Sequence, residues 1–221
     1  MRILHISKYY FPYIGGVENI CKYLVENAGC HETAVVCFNE KCANVVDTVN
    51  GHCVYRVATW VNVARQALSL SYFGVLKRAI REFKPDVIQV HWANPFPAAV
   101  LLTMIPDDVK LIIHWHMDII KQKHIYPFIK PIEKALLMRA DRVVVTSPQY
   151  RDASIPLQPF KDKVRVVQNA MDEQLFVLND GDDKRIDAVK KSFEYKPIVF
   201  FVGRHIQYKG LPYLIEAERY V

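Results

Sequence analysis

No stretch of this chain approaches the ~20 consecutive apolar residues that a helix needs to span a membrane. The N-terminus reads directly as a strand, without the basic, apolar and small-residue regions of a signal peptide, so the cytosol is the expected compartment. Cysteine is sparse and unpatterned. The five residues (Cys21, Cys30, Cys37, Cys42, Cys53) are odd in number and never spaced Cys-x-x-Cys, which argues against a disulfide framework and fits a reducing environment. Cys37 and Cys42, with His31 nearby, lack the second ligand pair of a zinc site. Neither Gly-x-Gly-x-x-Gly nor a P-loop ending in Gly-Lys-Ser/Thr occurs, which disfavours an ordinary dinucleotide or Walker site. Zinc-finger, basic-zipper and RNP-type patterns are missing too, so the net charge of +6 does not indicate nucleic acid. That charge still favours anionic partners, such as a phosphorylated substrate or an anionic membrane surface. Internal repeats and low-complexity tracts are absent.

What is present is a regular alternation of strand and helix. With 221 residues, 51% of them hydrophobic, the chain can bury one sizeable core and part of a second. Short apolar runs predict strands at 2–6, 33–37, 53–58, 87–91, 109–115, 142–146 and 164–168. Helical periodicity intervenes at 17–28, 72–83, 97–104 and 127–139, with a short helix after Ser147. The pattern predicts a doubly wound α/β domain with a mainly parallel sheet, in which ligands bind beyond the carboxyl ends of the strands. There the Gly15-Gly16 loop, His91, the His114–Asp118 stretch, Ser147 and Asn169 are expected to gather. Composition changes after Asp172. The domain expectation is 1–174, a polar linker over 175–196, and over 197–221 the first strand and helix of a second domain that the chain stops too early to complete.

Gly15 and Gly16 follow the first strand and open a periodic helix, whose apolar face is Val17, Ile20, Cys21, Leu24, Val25 and Ala28. A backbone without Cβ atoms at a helix start, with its free N–H groups, can approach a phosphate or a sugar hydroxyl. A plain strand-to-helix turn is the alternative.

Three further groups carry chemistry. His114-Trp-His-Met-Asp118 ends a buried strand, and strand alternation is expected to send one histidine inward and the other outward. Core-satisfied histidines and a mixed imidazole–carboxylate metal site are the alternatives. Gly203-Arg204-His-Ile-Gln-Tyr-Lys209-Gly210 places two cations on a strand-end loop. Arg204 offers a planar fork to phosphate oxygens and Lys209 a movable charge, a pair able to stabilise a departing diphosphate; a solvated basic loop is the alternative. Residues 121–139 mix Lys121, Lys123, Lys130, Lys134 and Arg139 with apolar positions. That helix either packs on the sheet with its lysines in water or touches anionic lipid at the inner face of the membrane. Pro127 and Pro131 are expected to limit regular helix before Ile132.

Six stretches in order resemble glycosyltransferase family 4, the retaining, nucleotide-sugar-dependent enzymes of GT-B fold. They are Tyr10-Phe-Pro-Tyr-Ile-Gly-Gly-Val-Glu18, Pro85-Asp-Val-Ile-Gln-Val-His91, His114-Trp-His-Met-Asp118, Ala140-Asp-Arg-Val-Val-Val-Thr-Ser147, Val166-Val-Gln-Asn-Ala-Met-Asp172 and Phe201-Val-Gly-Arg-His-Ile-Gln-Tyr-Lys-Gly210. The stretch 115–123 is similar in particular to mannosyltransferases of surface-polysaccharide and lipopolysaccharide assembly. The resemblance implies a Rossmann-like N-terminal half of a GT-B fold, a nucleotide diphosphate sugar as donor, and a glycan or lipid-linked acceptor. It implies that His116 is the catalytic histidine facing the transferred sugar, and that Gly15, Gly16, Arg204 and Lys209 bind the donor. Glu18, His114, Asp118, Ser147 and Asn169 become acceptor or cleft candidates. It also implies no metal and no other cofactor, since the cations do the metal's electrostatic work. Asn169-Ala170 stands where the family usually has Asn-Gly, and the family's Glu-x7-Glu motif has no counterpart, Glu216 and Glu218 not being assigned to it. The competing expectations are an acceptor-binding domain inactive without its missing half, and an epimerase or NAD-binding protein, against which the absent glycine fingerprint argues.

Overall fold

The seven apolar runs before residue 170 become strands of one sheet, as their near-continuous hydrophobicity requires of strands covered on both faces. The computed structural model describes residues 1–63, 66–119, 124–203, 205 and 209–220. Its strands are β1 (Arg2–Ile6), β2 (Glu32–Phe38), β3 (Val45–Val49), β4 (His52–Val57), β5 (Val61–Val63), β6 (Gln66–Leu68), β7 (Val87–Trp92), β8 (Lys110–Trp115), β9 (Arg142–Val145) and β10 (Val164–Val166). Its helices are α1 (Gly16–Glu26), α2 (Ser71–Phe83), α3 (Pro95–Leu102), α4 (Tyr126–Arg139), α5 (Pro148–Ala153), α6 (Asp182–Ser192) and α7 (Leu211–Ala217). The main sheet has eight strands in the order β10-β9-β8-β7-β1-β2-β4-β3, and β5 and β6 form a separate hairpin. Every ladder of the main sheet is parallel except β3–β4.

The chain first runs outward from β1 to β2, then crosses back to place β7 on the other side of β1. The strand order therefore reverses between β1 and β7, and a doubly wound sheet opens its ligand crevice at the carboxyl ends of such a pair. Beneath that edge the core is closed by Leu4, Ile6, Ile88, Ile113 and the stacked pair Trp92 and Trp115, whose ring centres lie 5.3 Å apart.

The structure departs from the sequence expectation at three places. β3 was not expected from the sequence. It pairs with β4 through a two-residue turn in which Asn50 and Gly51 take φ of 49° and 86°, the positive-φ pair of a type I′ hairpin. Helix α4 runs unbroken from Tyr126: Pro127 falls in its first turn, where no N–H is needed, and Pro131 is accommodated inside it. Residues 197–203, expected as a strand, join no ladder among the described residues. An apolar run sets β propensity, but a strand exists only with a hydrogen-bonded neighbour.

The chain divides into two compact units, Met1–Met171 and Asp172–Val221. The second holds α6 and α7 and leaves Val199 and Phe200 exposed. Among the described residues no helix is long and apolar enough to cross a membrane.

Candidate active site

The carboxyl edge of β1, β7 and β8 carries four histidines. His91 on β7 lies opposite His114 on β8, while His5 on β1 lies opposite Gln89, one pleat further back. All these offsets are even, so the side chains share one face of the sheet. His116 continues the same face past β8, held by its backbone N–H donating to the Trp92 carbonyl (3.2 Å). The expectation of one histidine inward and one outward is therefore wrong: residues two apart in extended chain point the same way. The His114 and His116 rings stack instead, with centres 4.1 Å apart and planes at 23°.

Polar contacts order the group. His5 Nδ1 lies 3.3 Å from His91 Nε2, and His91 Nδ1 lies 3.0 Å from His116 Nε2. Burial pulls the imidazoles towards their neutral forms, reinforced by the neighbouring rings for all but His114. His5 and His116 fall to about 3, His114 to about 4, and His91 well below its ordinary value. At neutral pH the site thus presents uncharged rings. His5, His91 and His114 are buried, and His116 is partly open.

The other predicted residues take distinct places. Asp118 Oδ1 accepts three hydrogen bonds, from Trp115 Nε1 (2.8 Å), Tyr150 OH (2.9 Å) and Ser154 Oγ (2.8 Å), tying the end of β8 to α5 and the turn after it. Ser147 caps α5, its Oγ accepting from the Tyr150 N–H at 3.1 Å. Gly15 is the N-cap of α1 in extended backbone, without a side-chain cap. The Glu18 carboxylate lies where a Cβ on Gly15 would project, whereas a Cβ on Gly16 would meet nothing within 4 Å. Gly16 is therefore not glycine for want of room inside the protein. Asn169 is exposed beyond β10. Among the described residues no hydrogen bond or ring contact joins Gly15, Gly16, Glu18 or Asn169 to the histidines. Lys209 belongs to the second unit, and Arg204 lies outside the described residues, as do Lys121 and Lys123 of the basic stretch. In that stretch Lys130 and Lys134 are exposed while Leu136 and Leu137 are buried, and Phe128 and Met138 of α4 are exposed as well.

Two sets of ligand-type atoms come within 4.8 Å of one another: His5, Cys21 and His91, and His91, His114 and His116. A metal ion needs three lone pairs converging on one point. An imidazole lone pair lies in its ring plane, and stacked rings such as His114 and His116 hold theirs nearly parallel. The three histidines are a stack joined to a chain, which does not fit a metal centre.

Around the same edge the protein leaves hydrogen-bonding capacity unused. Among the described residues Ser7 Oγ, Tyr10 OH, Trp92 Nε1, both amide atoms of Asn94, and His114 Nε2 are buried without a partner. Buried polar groups are ordinarily hydrogen-bonded, and these atoms are closed to solvent. Sequence reasoning missed Asn94 and His5. Asn94 precedes Pro95 at the start of α3, the ordinary helix-start signal. His5 lies inside an apolar strand and gives no local signal.

The model described as Glycosyltransferase Family 4 matches residues 14–175. The chain is 30% identical over 224 aligned positions to the D-rhamnosyltransferase WbpZ of Pseudomonas aeruginosa, covering 98% of this chain and 56% of that protein. It is 27% identical over 230 positions to the O-antigen chain mannosyltransferase C of Escherichia coli, covering 98% of this chain and 57% of that one. The chain thus spans a little over half the length of these relatives. Among solved structures it resembles sucrose-phosphate synthase from Thermosynechococcus elongatus, with a TM-score of 0.73 and 18% identity over 100% of this chain and 60% of that one. Anabaena HepE, solved with UDP and glucose, gives a TM-score of 0.58 at 17% identity, over 88% of this chain and 50% of that one. At such identities the structural likeness speaks for the fold alone.

Proposed function

The chain belongs to glycosyltransferase family 4, and from that premise we propose that it forms the acceptor side of an enzyme moving a hexosyl group from a nucleotide diphosphate sugar to a glycan or lipid-linked acceptor. One observation carries the reading: His116 and its neighbours stand at the carboxyl edge of β7 and β8, beside the strand-order reversal, inside the stretch that the family matches. A mannosyl group in surface-polysaccharide assembly is the specific form, supported by similarity to the E. coli mannosyltransferase.

In this reaction the acceptor hydroxyl oxygen bonds to the anomeric carbon from the face that the diphosphate leaves, so configuration is retained. The bond from that carbon to the phosphate oxygen breaks, and the hydroxyl proton passes to the departing diphosphate. His116, neutral and partly open, hydrogen-bonds the sugar. Gly15 and Gly16, with the free N–H groups opening α1, approach the donor phosphates. Arg204 and Lys209 hold the diphosphate and offset the charge that develops on it, which makes a metal ion unnecessary. The protein works on the cytoplasmic side, with contact to anionic membrane where the acceptor is lipid-linked.

Removing one such charge typically costs ~100-fold or more in turnover. Transfer from nucleotide sugars by Arg204→Ala and Lys209→Ala variants of the whole protein is therefore expected to fall by at least about 100-fold. Unchanged turnover in both would show that these cations do not serve the leaving group.

A further inference from the structure

His5, His91 and His116 line up diagonally across three adjacent strands. Each step to the next strand also advances one pleat towards the carboxyl edge, from His5 opposite Gln89 to His91, and from His91 opposite His114 to His116. The two nitrogen–nitrogen contacts of 3.3 and 3.0 Å use both nitrogens of His91. The His91 and His116 planes differ by 9°, with centres 5.3 Å apart, so the shorter contact joins nearly parallel rings.

A neutral imidazole has one N–H and one lone pair. When His91 donates from Nδ1 to His116 it must accept at Nε2 from His5, and when it accepts from His116 it must donate to His5. The three N–H bonds therefore point the same way along the series. Burial keeps all three rings neutral, which preserves this rule at ordinary pH. His116 Nδ1 has no hydrogen-bond partner among the described residues, so the direction of the series decides whether that atom presents an N–H or a lone pair.

We infer that His5 and His91 are positioning residues that share one tautomer with His116, all three protonated at Nδ1 or all three at Nε2, so that rings inside the sheet bias whether the crevice meets a donor or an acceptor at His116 Nδ1. The catalytic consequence rests on the reading of His116 as the residue facing the sugar, but the tautomer coupling does not. Cys21, whose thiol is within 4.8 Å of His5 and His91, is kept protonated by its burial and cannot charge the series.

The test is nitrogen-15 NMR of the histidine rings in the full chain. Wild type should show the same tautomer, or the same tautomer ratio, at His5, His91 and His116. His5→Phe keeps a flat ring and removes both nitrogens without touching His116, and should shift the His116 tautomer ratio. His91→Asn places an amide at the Nδ1 position, keeping a contact to His116 while cutting it off from His5, and should shift that ratio too; it serves if His5→Phe does not fold. A folded variant whose His116 keeps the wild-type tautomer ratio overturns the inference. In transfer assays kcat should drop ~10-fold with KM unchanged, the scale of groups that orient a functional histidine. An altered tautomer without any transferase activity in wild type would leave the coupling standing and remove the glycosyl-transfer reading.

Discussion

His116→Ala is expected to lower hexosyl transfer by ~100-fold or more while leaving the fold intact, the scale for a positioned hydrogen-bonding group at the reacting centre. The expectation follows from its place. Its ring lies at the open end of a stack whose other members are buried. Burial brings it to about 3, so it contributes a hydrogen bond, not a positive charge. Truncation removes one contact to His91 and the stack on His114, worth about 1–2 kcal/mol together. A drop in kcat far larger than the accompanying loss of stability is the signature to seek. If the alanine variant turns over at the wild-type rate, the histidine does not face the reacting sugar.

Asp118→Ala should act in the opposite sense, on stability first. Trp115 Nε1, Tyr150 OH and Ser154 Oγ all converge on one carboxylate oxygen. Trp115 and Ser154 are buried, so these donors cannot turn to water when the carboxylate goes. Hydrogen bonds to a charged acceptor are each worth about 1.5–3 kcal/mol and do not simply add. A loss of about 3–4 kcal/mol is expected, read as a fall in the urea midpoint at constant m. Asp118→Asn retains an oxygen at the same point and should lose only about 1 kcal/mol. Equal urea midpoints for wild type and the alanine variant would contradict the anchoring role.

The two variants show where sequence reasoning reached and where it stopped. The strands of the parallel sheet were legible because strands buried on both faces must be apolar throughout. β3 was not, because Val45 and Val46 are exposed and its ladder is announced only by the Asn50-Gly51 turn. β5 and β6 are three residues each, too short to show a period. The run 197–203 is apolar without joining a ladder among the described residues, since composition reports a tendency and pairing depends on chain far away. His114 and His116 stand out in the sequence as a pair, and their stacking follows from the period of two that sends alternate residues of an extended chain to one face. His5 and His91 meet only because β7 returns to lie beside β1, a matter of strand order that no local window contains. Asp118 was recognisable as a polar residue at a strand end. Its partners Tyr150 and Ser154, more than thirty positions along the chain, were not.

The central claim is that this edge of the sheet is one side of a retaining glycosyl-transfer site. It is tested most directly by incubating the whole protein with a nucleotide diphosphate sugar and a glycan or lipid-linked acceptor, and following the anomeric proton and carbon of the product by NMR. The account predicts acceptor-dependent release of nucleoside diphosphate, with the new linkage keeping the donor's anomeric configuration. A product of inverted configuration, or donor left intact in the presence of every such acceptor, would contradict it.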